Sequence, residues 1–177
     1  MLIAKKKLTE NIAEYVLYLW QIEDLLRALN FNTNLIREKL VEPLNLPEEK
    51  QEEVLLWYLD IIANLKDEEK EVTGHTCYSL QIISELNNLH LSLLKKGSKY
   101  LNLYMDARND IILFREKSGK KASDLEIAFD ALYAKLLLRL KGEQISDETS
   151  AAFDRIASLI AYLSATFHKK IQQKEGN

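Results

Sequence analysis

Apolar residues recur along this chain at the three-and-four spacing of an α-helix, in long segments punctuated by glycine and by one proline-bearing stretch. Gly74, Gly97, Gly119 and Gly142 each fall between such segments, three of them after lysine-bearing stretches. A basic last turn followed by glycine is a helix stop: the cations favour the C-terminal end of the dipole, and glycine accepts positive φ without strain. Pro43 and Pro47 share the single connection from Glu42 to Glu48. Start signals answer the stops. Ser123-Asp124-Leu125-Glu126 is a capping box, Ser146-Asp147-Glu148 offers a cap with first-turn acids, and Pro47-Glu48-Glu49 sets proline at an early helical position.

The pattern predicts helices over Thr9–Asn30, Thr33–Val41, Glu48–Glu71, Thr76–Lys96, Ser98–Lys117, Asp124–Lys141 and Asp147–Gln173. No segment sustains apolar/polar alternation, so no sheet is expected. Short connections favour antiparallel neighbours. The expected fold is all-α: a single-domain up-and-down helical bundle of about six to seven helices, covering residues 1–177, with 1–8 and 174–177 as frayed termini.

Three helices carry apolar residues on two sides. The first gathers Ile12, Tyr15, Val16, Leu19, Ile22, Leu26 and Leu29 on its main face, with a second stripe of Ala13, Leu17 and Trp20 opposite, beside Asp24. In Glu48–Glu71, a narrow polar strip of Glu53, Asp60 and Asn64 interrupts an otherwise apolar run from Val54 to Leu65. In Asp124–Lys141, Leu125, Phe129, Leu132, Leu136 and Leu140 face away from Ile127, Ala131, Ala134 and Leu138. A helix apolar on two sides is either central in a bundle or paired with another chain. Ala13, Leu17 and Trp20 are therefore the candidate interface to a second copy or another protein.

Composition narrows the function classes. The 177 residues are 47% hydrophobic and 29% charged, with a formal net charge of −3, which gives no field to draw nucleic acid. Local basic runs at Lys5-Lys6-Lys7, Lys95–Lys99 and Arg115–Lys121 are read as solvated helix ends. One cysteine, Cys77, forms no intrachain disulfide. The opening Met1-Leu2-Ile3-Ala4 turns charged at once, without the order of a secretion signal, and the apolar runs stop well short of a membrane span. A cytoplasmic chain with neither nucleic-acid nor membrane partner is expected.

The residues that carry chemistry do not assemble into a known catalytic pattern. A di-iron bundle needs Glu-x-x-His pairs, but Val72, Asn87 and Ala165 stand three before His75, His90 and His168. His75 and His90 lie about 22 Å apart if both are helical, too far to share an ion. His90 reads as a core histidine bonded to a neighbour. Glu49 with Glu52, and Glu68 with Glu71, have the Glu-x-x-Glu spacing of magnesium-dependent all-α pyrophosphohydrolases, without the following Glu-x-x-Asp. Cys77 and His75 point about 200° apart on a helix, and no glycine-rich phosphate loop or serine elbow occurs. No catalytic residue, metal site or cofactor is therefore expected.

Arginines are the least expected positions. Arg108 and Arg115 fall within a face made by Tyr100, Tyr104, Ile111 and Ile112, and Arg139 falls on the apolar face of its helix. Buried guanidinium groups require anionic partners. One reading is an internal ion-pair network with Glu14, Glu23 or Asp24. The other is a pocket for a small anionic ligand, with Arg108 and Arg115 as forks, Tyr104 as a wall and Glu23 as an acid partner.

The segments Glu10–Tyr15 and Leu19–Ala28, then Asn88-Leu89-His90-Leu91, and later Ala134–Leu140 followed by Ile145–Thr149, resemble a bacterial domain-of-unknown-function family over nearly the whole chain. That resemblance implies a compact all-helical protein and no reaction. The function expected is a non-enzymatic interaction or structural module, homo-oligomeric or bound to another protein. The alternatives are an anion binder and, third, a metal-dependent hydrolase.

Overall fold

A computed structural model of the chain describes residues 2–175. Eight α-helices follow one another: α1 (Leu2–Glu10), α2 (Ile12–Ala28), α3 (Thr33–Ile36), α4 (Glu48–Asp67), α5 (Cys77–Leu93), α6 (Lys99–Ser118), α7 (Asp124–Leu140) and α8 (Asp147–Glu175), with a π-helical turn at Arg37–Val41 and a 3₁₀ turn at Glu42–Leu44 between α3 and α4. Among the described residues there is no strand.

Residues 2–10 form α1, which buries Ala4 against the main core. At the other end, Lys174 and Glu175 continue α8, while Gly176 and Asn177 lie outside the described residues. The first predicted helix is thus two helices broken at Asn11. There, the Asn11 side chain accepts the Glu14 amide at 3.2 Å and donates to the Glu14 carboxylate at 3.1 Å. This reciprocal cap makes it favourable to start a new helix.

The segment Thr33–Val41 is helical but becomes π-helical from Arg37. Helix α4 ends at Asp67, before the predicted Glu71. The residues that would extend it include Glu68, Glu69 and Glu71, which the negative end of the dipole disfavours. Glu69 turns to a φ of 56°, and the Lys70 amide closes on the Leu65 carbonyl at 2.7 Å. The predicted glycine stop is realised at Gly119, whose φ is 66°.

Two apolar clusters share α2. The larger one joins the first half of α2 to α5, α6, α7 and α8, through residues such as Trp20, Leu86, Ile111, Phe129 and Leu159. The smaller one joins Ile22 and Leu26 of α2 to Ile36, Val41 and the α4 residues Val54, Leu55, Tyr58, Ile61, Ile62 and Leu65.

The two-sided apolar patterns divide accordingly. Helix α2 is central, packed against α4, α5, α7 and α8, and α7 is packed against α2, α5, α6 and α8. Helix α4 rests on α2 and the π-helical turn, with Leu56 59% exposed on its outer side. The stripe expected as an interface is internal. Ala13 and Trp20 are buried and Leu17 is half-buried, all against this chain's own main core. Their second-face pattern records the neighbours α2 has within the fold.

Candidate functional site

The break at Asn11 leaves the first amides of α2 without helical partners, and α8 supplies two. His168 Nε2 accepts the Ile12 amide at 2.9 Å. Ser164 Oγ accepts the Ala13 amide at a long 3.5 Å and donates to Asn11 Oδ1 at 2.8 Å. Because Nε2 is the acceptor, the imidazole is neutral with its proton on Nδ1. Burial agrees, holding the His168 pKa below its ordinary value.

Beside this junction lies a cleft of about 580 Å³. Its first wall is Leu8, Thr9 and Ile12 where α1 meets α2. The second is a stripe of α5, with Tyr78, Gln81, Ile82 and Glu85 at helical spacing. The third is the last part of α8, with Phe167, His168, Ile171 and Gln172. Tyr78 is held from below by Tyr15, ring edge to ring face at 6.5 Å between centroids and 3.4 Å between hydroxyls. Burial, with the Tyr78 hydroxyl as a second cause, pushes the Tyr15 pKa far up, which holds the Tyr15 phenol protonated.

The residues singled out from sequence fall elsewhere. Arg115 pairs with Asp124 and reaches the Ala122 carbonyl at 3.4 Å. The Tyr104 hydroxyl donates to the other Asp124 oxygen at 2.5 Å. Burial pushes the Asp124 carboxyl up, yet the Tyr104 and Arg115 hydrogen bonds outweigh it and hold its pKa below the usual range. The place an anionic ligand would take between Tyr104 and Arg115 is thus filled by the chain's own carboxylate at the start of α7.

Arg108 is exposed, because α6 buries only the narrow stripe Tyr100, Ala107 and Ile111, one residue round from it. Arg139 is exposed in the last turn of α7. His90 is the buried, bonded histidine expected, with Nδ1 2.7 Å from the Tyr100 hydroxyl.

Glu23 belongs to a different cluster. Only 1% exposed, it receives the Thr76 amide at 3.2 Å, the Thr76 hydroxyl at 2.8 Å and His75 Nδ1 at 2.8 Å. The His75 ring stacks on Trp20 with centroids 3.8 Å apart. Trp20 Nε1 donates to Ser79 at 3.1 Å, and the Tyr133 hydroxyl donates to Asp24 at 2.6 Å. Arg27, paired with Asp24 at 2.7 Å, also donates to the Lys70 and Gly74 carbonyls. Together these bonds fasten the α4–α5 connection to α2. The other expected acid partner, Glu14, pairs with Lys7 at 2.7 Å.

One family matches the chain over residues 1–175. The chain belongs to the family described as Domain of unknown function (DUF4924). Membership carries the resemblance seen in the sequence across nearly its whole length. No curated protein and no solved structure shows a match.

Within this family member, among the described residues, no three histidine, cysteine, aspartate or glutamate side chains converge as a metal site, and no helix is long and apolar enough to cross a membrane. Cys77 is exposed, with its thiol pKa pushed up by the Glu68 carboxylate beside it, the opposite of nucleophile activation. What the cleft offers is a mixed lining, apolar side chains interleaved with as many that carry polar groups, which suits binding an amphipathic molecule. Sequence reasoning gave His168 no role and missed the cleft. The signals present were the Asn11-x-x-Glu14 box and the stripe Tyr78, Ile82 and Glu85.

Proposed function

We propose that the chain is a binding module that captures a small amphipathic molecule in the cleft between the α1–α2 junction, α5 and α8. The observation that carries this reading is the cleft's size and lining: about 580 Å³, with Leu8, Ile12, Ile82, Phe167 and Ile171 as apolar surface and the polar groups of Thr9, Tyr78, Gln81, Glu85, His168 and Gln172 among them. Binding is favoured over catalysis by how the histidines are engaged. His90 bonds Tyr100 in the core, His75 bonds Glu23, and His168 holds the first amide of α2. Each has a structural partner in place of a substrate-facing base and nucleophile.

The test is a titration with hexanol, a neutral amphiphile, followed by methyl NMR on the full chain. Shifts are expected at Leu8, Ile12, Ile82 and Ile171 and not at the α4 methyls. Ile171→Arg, at a position 37% exposed and so tolerant of change, is expected to abolish them. Shifts scattered over the surface, or none, would overturn the reading.

A further inference from the structure

Resting on that reading of the cleft, we propose that its ligand is a small organic cation, an alkyl- or arylammonium with its head toward Glu85 and its apolar body toward Ile12, Ile82 and Ile171. Three features of the lining carry the charge assignment. First, among the described residues no lysine or arginine lines the cleft, whereas Glu85 does, and among them Glu85 has no ion-pair partner. Its nearest polar contact is the Gln81 amide, which donates at 3.4 Å. A carboxylate or phosphate entering here would meet a like charge with no base to offset it, while an ammonium meets the opposite one.

Second, His168 adds no positive charge, because its Nε2 lone pair is occupied by the Ile12 amide and the ring is therefore neutral. Third, two aromatic rings, Tyr78 and Phe167, stand on separate walls of the cleft. Their π faces attract cations over neutral or anionic heads. The hydroxyls of Thr9 and Tyr78 and the amide oxygens of Gln81 and Gln172 supply acceptors for ammonium protons. The smaller cavity near Asp110, of about 200 Å³, differs: Lys117, Glu148 and Arg155 line it with both signs, and Arg155 already grips Asp110 through two bonds at 2.7 and 2.9 Å.

Three probes of equal chain length separate the charge assignment from the site itself: hexylammonium, hexanol and hexanoate, titrated into the full chain at constant ionic strength and followed at the cleft methyls. Hexylammonium is expected to bind about three- to five-fold more tightly than hexanol, as befits one partly exposed charge pair. Hexanoate is expected to bind more weakly than hexanol. Glu85→Gln, on an exposed position and so without a folding cost, is expected to erase the hexylammonium advantage, read as the ratio of hexylammonium to hexanol affinity in the same variant. Hexanoate binding as tightly as hexylammonium, or an advantage that survives Glu85→Gln, overturns the cation assignment while hexanol binding leaves the site standing. Failure of all three probes overturns the site and the assignment together.

Discussion

The two apolar clusters that meet on α2 are built differently. In the larger, α2, α5, α6, α7 and α8 each pack against at least two of the others, so the cluster is braced from several directions. In the smaller, α4 rests on one long helix and a short π-helical turn, and its outer side is open at Leu56. The larger cluster is locked by packing; the smaller depends more on how its ends are tied. One tie is the polar knot in which Glu23 and Arg27 of α2 hold the connection that leaves α4, at Lys70, Gly74, His75 and Thr76. The seam between the two regions is therefore hydrogen-bonded and buried, where satisfied groups specify one arrangement and unsatisfied ones are costly.

Truncation of one leucine in each region breaks the comparison most sharply. Leu159 on α8 is 1% exposed and Leu65 on α4 is fully buried. Leu159→Ala is expected to cost about 3–4 kcal/mol and to lower hydrogen-exchange protection across α2, α5, α6, α7 and α8 together. Leu65→Ala, at about 2–3 kcal/mol, is expected to lose protection mainly in α3 and α4, because fewer elements share that cavity. Equal loss across all helices for both variants would mean that the chain has one cooperative core and that the division is only geometric.

The seam gives a smaller effect with a more particular signature. Glu23→Ala leaves the Thr76 amide and hydroxyl without their acceptor and is expected to cost about 2–3 kcal/mol. Glu23→Gln retains an oxygen for Thr76 and is expected to cost less than half as much. In the alanine variant, the Thr76 amide should exchange early and α4 should melt ahead of α6 and α8. A single unfolding transition with unchanged exchange at Thr76 would show that the knot does not couple the two regions.

Local signals were legible from the sequence, and tertiary ones were not. Ser123 and Ser146 cap α7 and α8 as read, accepting the Glu126 and Thr149 amides at 3.2 Å. Gly119 stops α6 because its role is set by residues a few positions away. The break at Asn11 was hidden because apolar periodicity runs through it, although its capping box stands in plain view. Glu23 and His75 are 52 positions apart, and no periodicity links them. Arg115 pairs with an acid that local signals mark only as a helix start: Asp124 gains its second role, neutralising Arg115, because the connection after Gly119 folds back. The cleft was illegible for the same reason: its three walls come from four helices, and no single helix carries its pattern.

The smallest expected effect concerns the amide-capping histidine. Burial lowers the pKa of His168 in the folded chain. It also lowers that of His90, where the nearby Asp124 carboxylate opposes the shift. The ordinary value is 6.5 for both. Between that value and the lowered one, the unfolded chain binds more protons than the folded chain, so stability must fall as pH falls. The contribution is complete above pH 6.5 and declines below it, before the carboxylates titrate. His168→Gln keeps an oxygen able to accept the Ile12 amide but cannot gain a proton in this range. It is expected to retain the stability measured at pH 8 and to show a shallower loss between pH 6.5 and pH 5 than the unsubstituted chain. Protonation of His168, which in the folded chain comes only toward its lowered pKa, removes the acceptor that ties α2 to α8. Protection of the Ile12 amide, taken against its intrinsic exchange rate at each pH, should fall there, while protection of the α4 amides, in the smaller cluster, stays unchanged. If Ile12 protection does not change with the histidine titration, the α1–α2 junction is held by Asn11 and Ser164, and His168 is a wall of the cleft alone.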